Sequence, residues 1–214
     1  ETAARAFTQT IVLKGFCFDG RVNLADSRFE QSLRIEACQF RAGLTLRDVR
    51  VEGGFCLYRC EYDDPVARFL DFRRLRVDGH AALTCCTSAV GIDLSNLVAG
   101  DDLRIDGVEV RSALAHKTQV RALALLAEYV DHLRNEMVGK AINLEGAEVR
   151  RHLYLMPAEH RPTRLHGMLD LRAKVGMNAQ FKAVTINAGT GRTAVTMNAA
   201  EVGKSIGFYG RSRI

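Results

Sequence analysis

Tryptophan is absent from the 214 residues, prolines number three, and aromatic residues make up only 7% of the chain. With no tryptophan, and only Tyr154 among the basic residues of 150–166, the basic cluster there lacks the aromatic set on which single-stranded nucleic acid would stack. The scarcity of proline, beside 47% hydrophobic and 26% charged residues, excludes collagen-like and disordered compositions. No apolar run approaches the roughly 18 residues of a membrane span, and no basic segment leads into an apolar one as in a secretory signal. The chain therefore reads as cytoplasmic, with peripheral membrane association as the variant. Charge of one sign is not in large excess either: 30 basic residues against 25 acidic leave a formal +5. That balance permits an acidic protein, a nucleic acid or an anionic membrane surface as partner, although most of it is internal cancellation. The six cysteines, at 17, 38, 56, 60, 85 and 86, fit no zinc module, and a chain this long needs no disulfide staples. They read as reduced thiols.

What the chain has in abundance is repetition. Between residues 22 and 65 one pattern of eleven residues is written four times without a gap: VNLADSRFEQS, LRIEACQFRAG, LTLRDVRVEGG and FCLYRCEYDDP. Its first position holds Val22, Leu33, Leu44 and Phe55, and its third Leu24, Ile35, Leu46 and Leu57. The sixth holds Ser27, Cys38, Val49 and Cys60, and the eighth Phe29, Phe40, Val51 and Tyr62. One unit earlier, Ile11, Leu13, Phe16 and Phe18 fill the same places. The preceding ETAARAF is helix-like and reads as a cap over the first open edge. After residue 65 the phase slips by four residues, PVAR, then resumes through Leu70, Phe72, Leu75 and Val77 and onward to Val108 and Val110.

Two interruptions follow. Residues 118–138 place Leu123, Leu126, Val130, Leu133 and Met137 at steps of three and four, the pattern of an inserted amphipathic α-helix. The repeat returns at Ile142, and the insertion MPAEHRPTRLHG, residues 156–167, holds two of the three prolines and reads as an excursion loop. The pattern then continues to Ile206 and Phe208.

Pairs of inward residues two apart, separated by bends, are the alternation of very short strands. A strand this short cannot bury a face alone, so successive units must stack. The expectation is a single all-β domain over 1–214, a parallel β-helix or β-solenoid. Facing sheets about 10 Å apart favour two units, about 22 residues, per four-sided coil, giving roughly seven coils that rise about 4.8 Å each. Units such as INLEGAEVRRHLYL and DDLRIDGVEVRS resemble the degenerate repeats of pentapeptide-repeat-like β-helix proteins of bacteria, among them long proteins labelled membrane-associated oxidoreductases. The resemblance spans most of residues 11–208. It implies a bacterial source and a quadrilateral coil; the spacing here alternates five and six, and no motif accompanies the oxidoreductase label.

Stacking also predicts columns on the outside. Arg28, Arg50 and Arg76 fall in one column and Glu30, Glu52 and Asp78 in the next, which reads as a self-neutralising charge ladder. A second basic group, Arg150, Arg151, His160, Arg161, Arg164 and His166, is the candidate site for an anionic partner, since loops carry binding residues more often than walls do. Cys38, Cys60 and Cys86 should point inward and Cys17, Cys56 and Cys85 outward. Asp26 and Asp48 share an outward column, but no catalytic constellation, cofactor motif or metal-ligand spacing stands out. The reading that follows is a non-catalytic scaffold for a protein or other macromolecule. Its alternatives are a structural protein assembling end to end, or through the 118–138 helix, and a carbohydrate-active β-helix enzyme.

Overall fold

The computed structural model describes residues 6–63, 69–111, 139–189 and 193–210. Four parallel sheets, A to D, run its length, and the chain visits them in that order before returning to A one coil later. The first coil is Ala6–Phe7 in A, Ile11–Lys14 in B, Cys17–Phe18 in C and Val22–Asn23 in D. Among the described residues, sheets A and B each hold eight strands and sheets C and D seven. The protein is an all-β parallel β-solenoid with four sides.

Its register follows the eleven-residue pattern. Ile11 pairs with Leu33 and Leu33 with Phe55, so one coil is 22 residues there. Where residues are added, the steps lengthen: Phe55 to Ala81 and Leu153 to Ala179 are 26, and Ala179 to Ile206 is 27. The additions enter at two corners. Chain passes from sheet C to sheet D after Tyr62, Val110 and Ile186, re-entering at Phe69, Lys140 and Val195. At the B–C corner, Leu155 leads to Thr163 through one excursion.

The four inward columns form one continuous core. Leu33, Ile35, Phe40, Leu46, Phe55 and Phe72 are among its buried members, and like residues stack along the axis. Phe7 lies on Phe29 with ring centres 4.7 Å apart, and Phe18 on Phe40 at 5.1 Å. Such offset stacks add about 1 kcal/mol beyond the area they bury. Cys38, Cys60 and Cys86 are buried in the sixth-position column, all three as free thiols, and each Sγ lies near a carbonyl of its neighbours, Cys60 at 3.3 Å from Ile35 O.

Two corners turn on left-handed backbone. At the D–A corner Asp26, Asp48, Arg74, Asn96 and Ala199 have φ between 55° and 59°, and at the B–C corner Ala37, Arg59, Cys85 and Ala183 have φ between 49° and 55°. The D–A turn is capped from inside the sequence. An Asx or Thr side chain ends each strand of sheet D, and where it is Asn or Asp its oxygen accepts from the backbone N–H two residues on: Asn23 from Ala25 at 3.0 Å, Asp93 from Ser95 at 3.0 Å, Asp170 from Arg172 at 3.2 Å. This Asx turn supplies an acceptor where the strand ladder stops.

The fold corrects three expectations. The excursion is shorter than 156–167, because Thr163–Leu165 forms a strand of sheet C between Glu109–Val110 and Val184–Ile186. Thr163 and Leu165 alternate inward around exposed Arg164, a period-2 pattern that the nearby prolines mask. Ala6–Phe7 is a strand paired with Arg28–Phe29 rather than part of a helical cap. Cys85 is buried, not turned to solvent, for a reason given below. The helix expected at 118–138, the slip at 65–68 and the start of the cap lie outside the described residues.

Candidate functional site

On sheet A the register aligns Arg28 with Arg50 and Arg50 with Arg76. The first two arginines each bond the acid of the following coil: Arg28 reaches Glu52 at 2.5 Å, and Arg50 reaches Asp78 at 3.2 Å. For Arg76 the corresponding position in the next coil is Gly100, so the diagonal series stops there. These groups are partly exposed, from 29% for Glu52 to 54% for Arg50, where an ion pair adds little to stability. At the D–A corner, Arg74 holds Asp48 through bonds of 2.5 and 2.6 Å and draws its carboxyl below the ordinary value.

The second basic group divides between the two edges of sheet B. Arg150 and Arg151 lie at the A–B corner, where Arg151 pairs with Asp101 at 3.0 Å. His160 and Arg161 lie at the B–C corner, and exposed Arg164 and half-buried His166 follow on sheet C. One wall separates the two halves, so they do not form a single patch.

The B–C half has its own architecture. Residues 156–162 fold back along the corner as a strap, closed by an antiparallel bridge between Ala158 and Arg161. The strap lies over Gly107, where an added Cβ would come 3.2 Å from Ala158, and over Cys85, whose Sγ is 3.7 Å from Ala158 O. Arg161 is its pin: Nη1 donates to Cys85 O at 3.0 Å and Nη2 to Thr87 Oγ1 at 3.1 Å. At the strap's root Thr163 Oγ1 is buried, accepting from Gly107 N at 3.0 Å and donating to Met156 O at 2.9 Å. At its tip, Glu159 accepts from Arg59 Nε at 3.0 Å and from Arg59 Nη2 at 2.5 Å, and Tyr58 Oη bonds the other oxygen. The Tyr58 hydroxyl first, and Arg59 second, hold the Glu159 carboxyl below its ordinary value. Arg161 is thus engaged within the molecule, while Tyr58 and Arg59 receive a carboxylate.

A third polar array lies on sheet D. Thr45, Asp71, Asp93, Asn143 and Asp170 stand in one column of the register and are all buried. Arg73 pairs with Asp71 at 2.8 Å and stands 4.0 Å from Asp93. Asn143 Nδ2 donates to Asp93 at 3.1 Å, and Lys140 Nζ donates to Asn143 at 3.2 Å and pairs with Asp170 at 2.8 Å. Arg172 closes the series on Asp170 and Glu145, both at 2.6 Å. Burial raises the Asp93 carboxyl above its ordinary value. Burial acts the same way on Asp170, but the bonds from Arg172 and Lys140 outweigh it and leave that carboxyl lowered. Among the described residues, no three His, Cys, Asp or Glu side chains converge to hold a metal ion, and no helix is long and apolar enough to cross a membrane.

Tyr58, Arg59 and the sheet D array escape a reading based on local clusters. Their signals are present: Arg59 is the long side chain among otherwise small residues at its corner, and the strands of sheet D end in Asn, Thr or Asp. Fold and site together define a parallel β-solenoid with one strapped edge and one buried polar column. No family model, curated protein or solved structure matches the chain.

Proposed function

We propose that the protein is a non-catalytic scaffold of the pentapeptide-repeat-like type, holding a protein partner against sheet B. The observation that carries this reading is the wall itself. Sheet B has the longest strands and stays in register from Ile11 to Ile206, displaying Arg34, Cys56, Arg104, Tyr154 and Gln180 in one outward column interrupted by buried Ala82. Arg104 lies over the Tyr154 ring at 5.1 Å, and the strap raises a rim along one edge. Arginine and tyrosine are the side chains enriched in interface anchors. A photo-crosslinking residue at Arg34 or Arg104 should capture one discrete partner from native cells, whereas the same residue at Glu148 on sheet A should not. Equal capture from both faces overturns the reading.

A second reading, end-to-end assembly, rests on a different observation. The large hydrophobic residues exposed among the described ones, Val12, Phe16, Ile206, Phe208 and Tyr209, all lie in the first or last described coil. Open sheet edges with apolar columns favour pairing. Sedimentation that does not change with concentration would remove it.

A further inference from the structure

The strap shows what its own edge recognises. Along the B–C corner the residues of left-handed backbone are mostly small: Gly15, Ala37, Cys85, Gly107 and Ala183. Arg59 is the exception. The strap lies over Gly107 and Cys85 and turns with its carboxylate on Arg59 and Tyr58. Its tip is held at a conformational cost, since Glu159 and His160 are successive non-glycine residues with φ of 48° and 64°, a left-handed region that residues with a Cβ disfavour. The Arg59–Glu159 pair is open to water, with side-chain exposures of 57% and 40%, so the bond that keeps the tip in place is weak.

We propose that Tyr58 and Arg59 form a receptor for an acidic peptide segment and that Glu159 is its built-in competitor. This rests on the scaffold reading and names the chemistry of the partner. The recognised group is a side-chain carboxylate, taken by the fork of the Arg59 guanidinium and the Tyr58 hydroxyl as Glu159 is now. Past Arg59 the same corner position is taken by Ala37 and Gly15, both small and exposed, so no long side chain at that position stands in the way of an extended chain. Arg161 stays on Cys85 O and Thr87, so exchange requires only the tip, residues 159–160, to turn away.

The test uses a fluorescently labelled hexaglutamate peptide and the whole chain, read by fluorescence anisotropy. Glu159→Ala should bind the peptide about fivefold more tightly than the unaltered protein, through loss of an exposed competitor. Glu159→Gln, which keeps the size of the side chain, should do the same. Adding Arg59→Ala to either variant should abolish the gain. A short DNA oligonucleotide serves as the second arm: an equal gain there would mean that the edge selects negative charge rather than carboxylate and would overturn the proposal. Equal binding by Glu159→Ala and the Glu159→Ala, Arg59→Ala double variant would overturn it as well. Crosslinking from Arg34 is independent of the tip, so a positive result there beside a negative one here would reject the receptor and leave the scaffold standing.

Discussion

Lys140 and Asp170 meet at 2.8 Å on sheet D, one coil apart, with the carboxylate wholly shielded from water. Neither could stand there alone. Asp170→Asn would leave the Lys140 ammonium buried with only Asn143 and, at 3.6 Å, Glu145 to offset it. Removing one member of a buried pair costs about 3 kcal/mol. Chemical denaturation at neutral pH should show a loss of that order. Because the Asp170 carboxyl is lowered, its contribution is present above its ordinary value of 3.8 and fades as the pH falls through the still lower folded value. The gap between Asp170→Asn and the unaltered protein should therefore narrow in acid.

Asp93 should behave in the opposite sense. Its carboxyl is raised by burial, so the folded state holds the proton more firmly than the unfolded chain does. Stability then falls as the pH rises from about 3.8 through the folded value, and ionised Asp93 is a burden above it. Asn at this position keeps an acceptor for Ser95 N–H. Asp93→Asn should be the more stable protein at pH 7 and equal to the unaltered one well below 3.8. A variant less stable at pH 7 would show that Arg73, at 4.0 Å, needs the negative charge.

The strap makes a prediction about thiol chemistry. Cys85 is buried beneath Ala158 and Arg161, and burial pushes its thiol up. Arg161→Ala removes the two bonds by which Arg161 pins the strap beside it, to Cys85 O and Thr87 Oγ1. Alkylation followed by mass spectrometry should find Cys17 modified first in the unaltered protein, and Cys85 newly modified in Arg161→Ala. Cys38, Cys60 and Cys86, inside the core, should stay protected in both.

Gly100 and Gly20 give a paired test of coil stacking. A Cβ on Gly100 would stand 2.0 Å from the Asp78 carbonyl oxygen, a backbone atom that cannot turn aside, while one on Gly20 meets nothing within 4 Å. Gly100→Ala should cost about 2 kcal/mol through overpacking, and Gly20→Ala should fall within about 0.5 kcal/mol of neutral. Thermal or denaturant melts of the two variants side by side would check both.

The architecture was legible because burial writes itself at fixed spacing. Val22, Leu44, Leu70 and Ile92 form an inward column of sheet D whether or not four residues are added between them, and each neighbour in sequence alternates. The polar column beside it was equally visible in VNL, LTL, LDF, IDL, INL, LDL and VTM, yet an outward Asn or Asp is ordinarily taken for a solvated residue. Only the three-dimensional packing reveals that the five central ones, Thr45 to Asp170, are buried, and that Asn143 bonds Asp93 one coil away. The strap was legible as a loop but not as a clasp. Its contact between Glu159 and Arg59 joins residues 100 apart, and no local pattern encodes where a short excursion will lie down. Prolines 157 and 162 also concealed the strand at Thr163–Leu165, which resumes the core alternation at once.

Sheets C and D meet at a corner where the chain crosses in very different numbers of residues, from Phe40 to Leu44 in one coil and from Val110 to Lys140 in another. The register on either side is the same in both: Leu44 stands over Val22, and Ile142 over Ile92. Rod length and corner length are therefore separate variables. Closing a longer connection costs only about 0.6 kcal/mol for each doubling, so this corner is a port through which whole segments enter without disturbing the stack. The same independence makes it the natural seam for grafting a foreign peptide, a tag or a second domain onto the rod while its four walls keep their alignment.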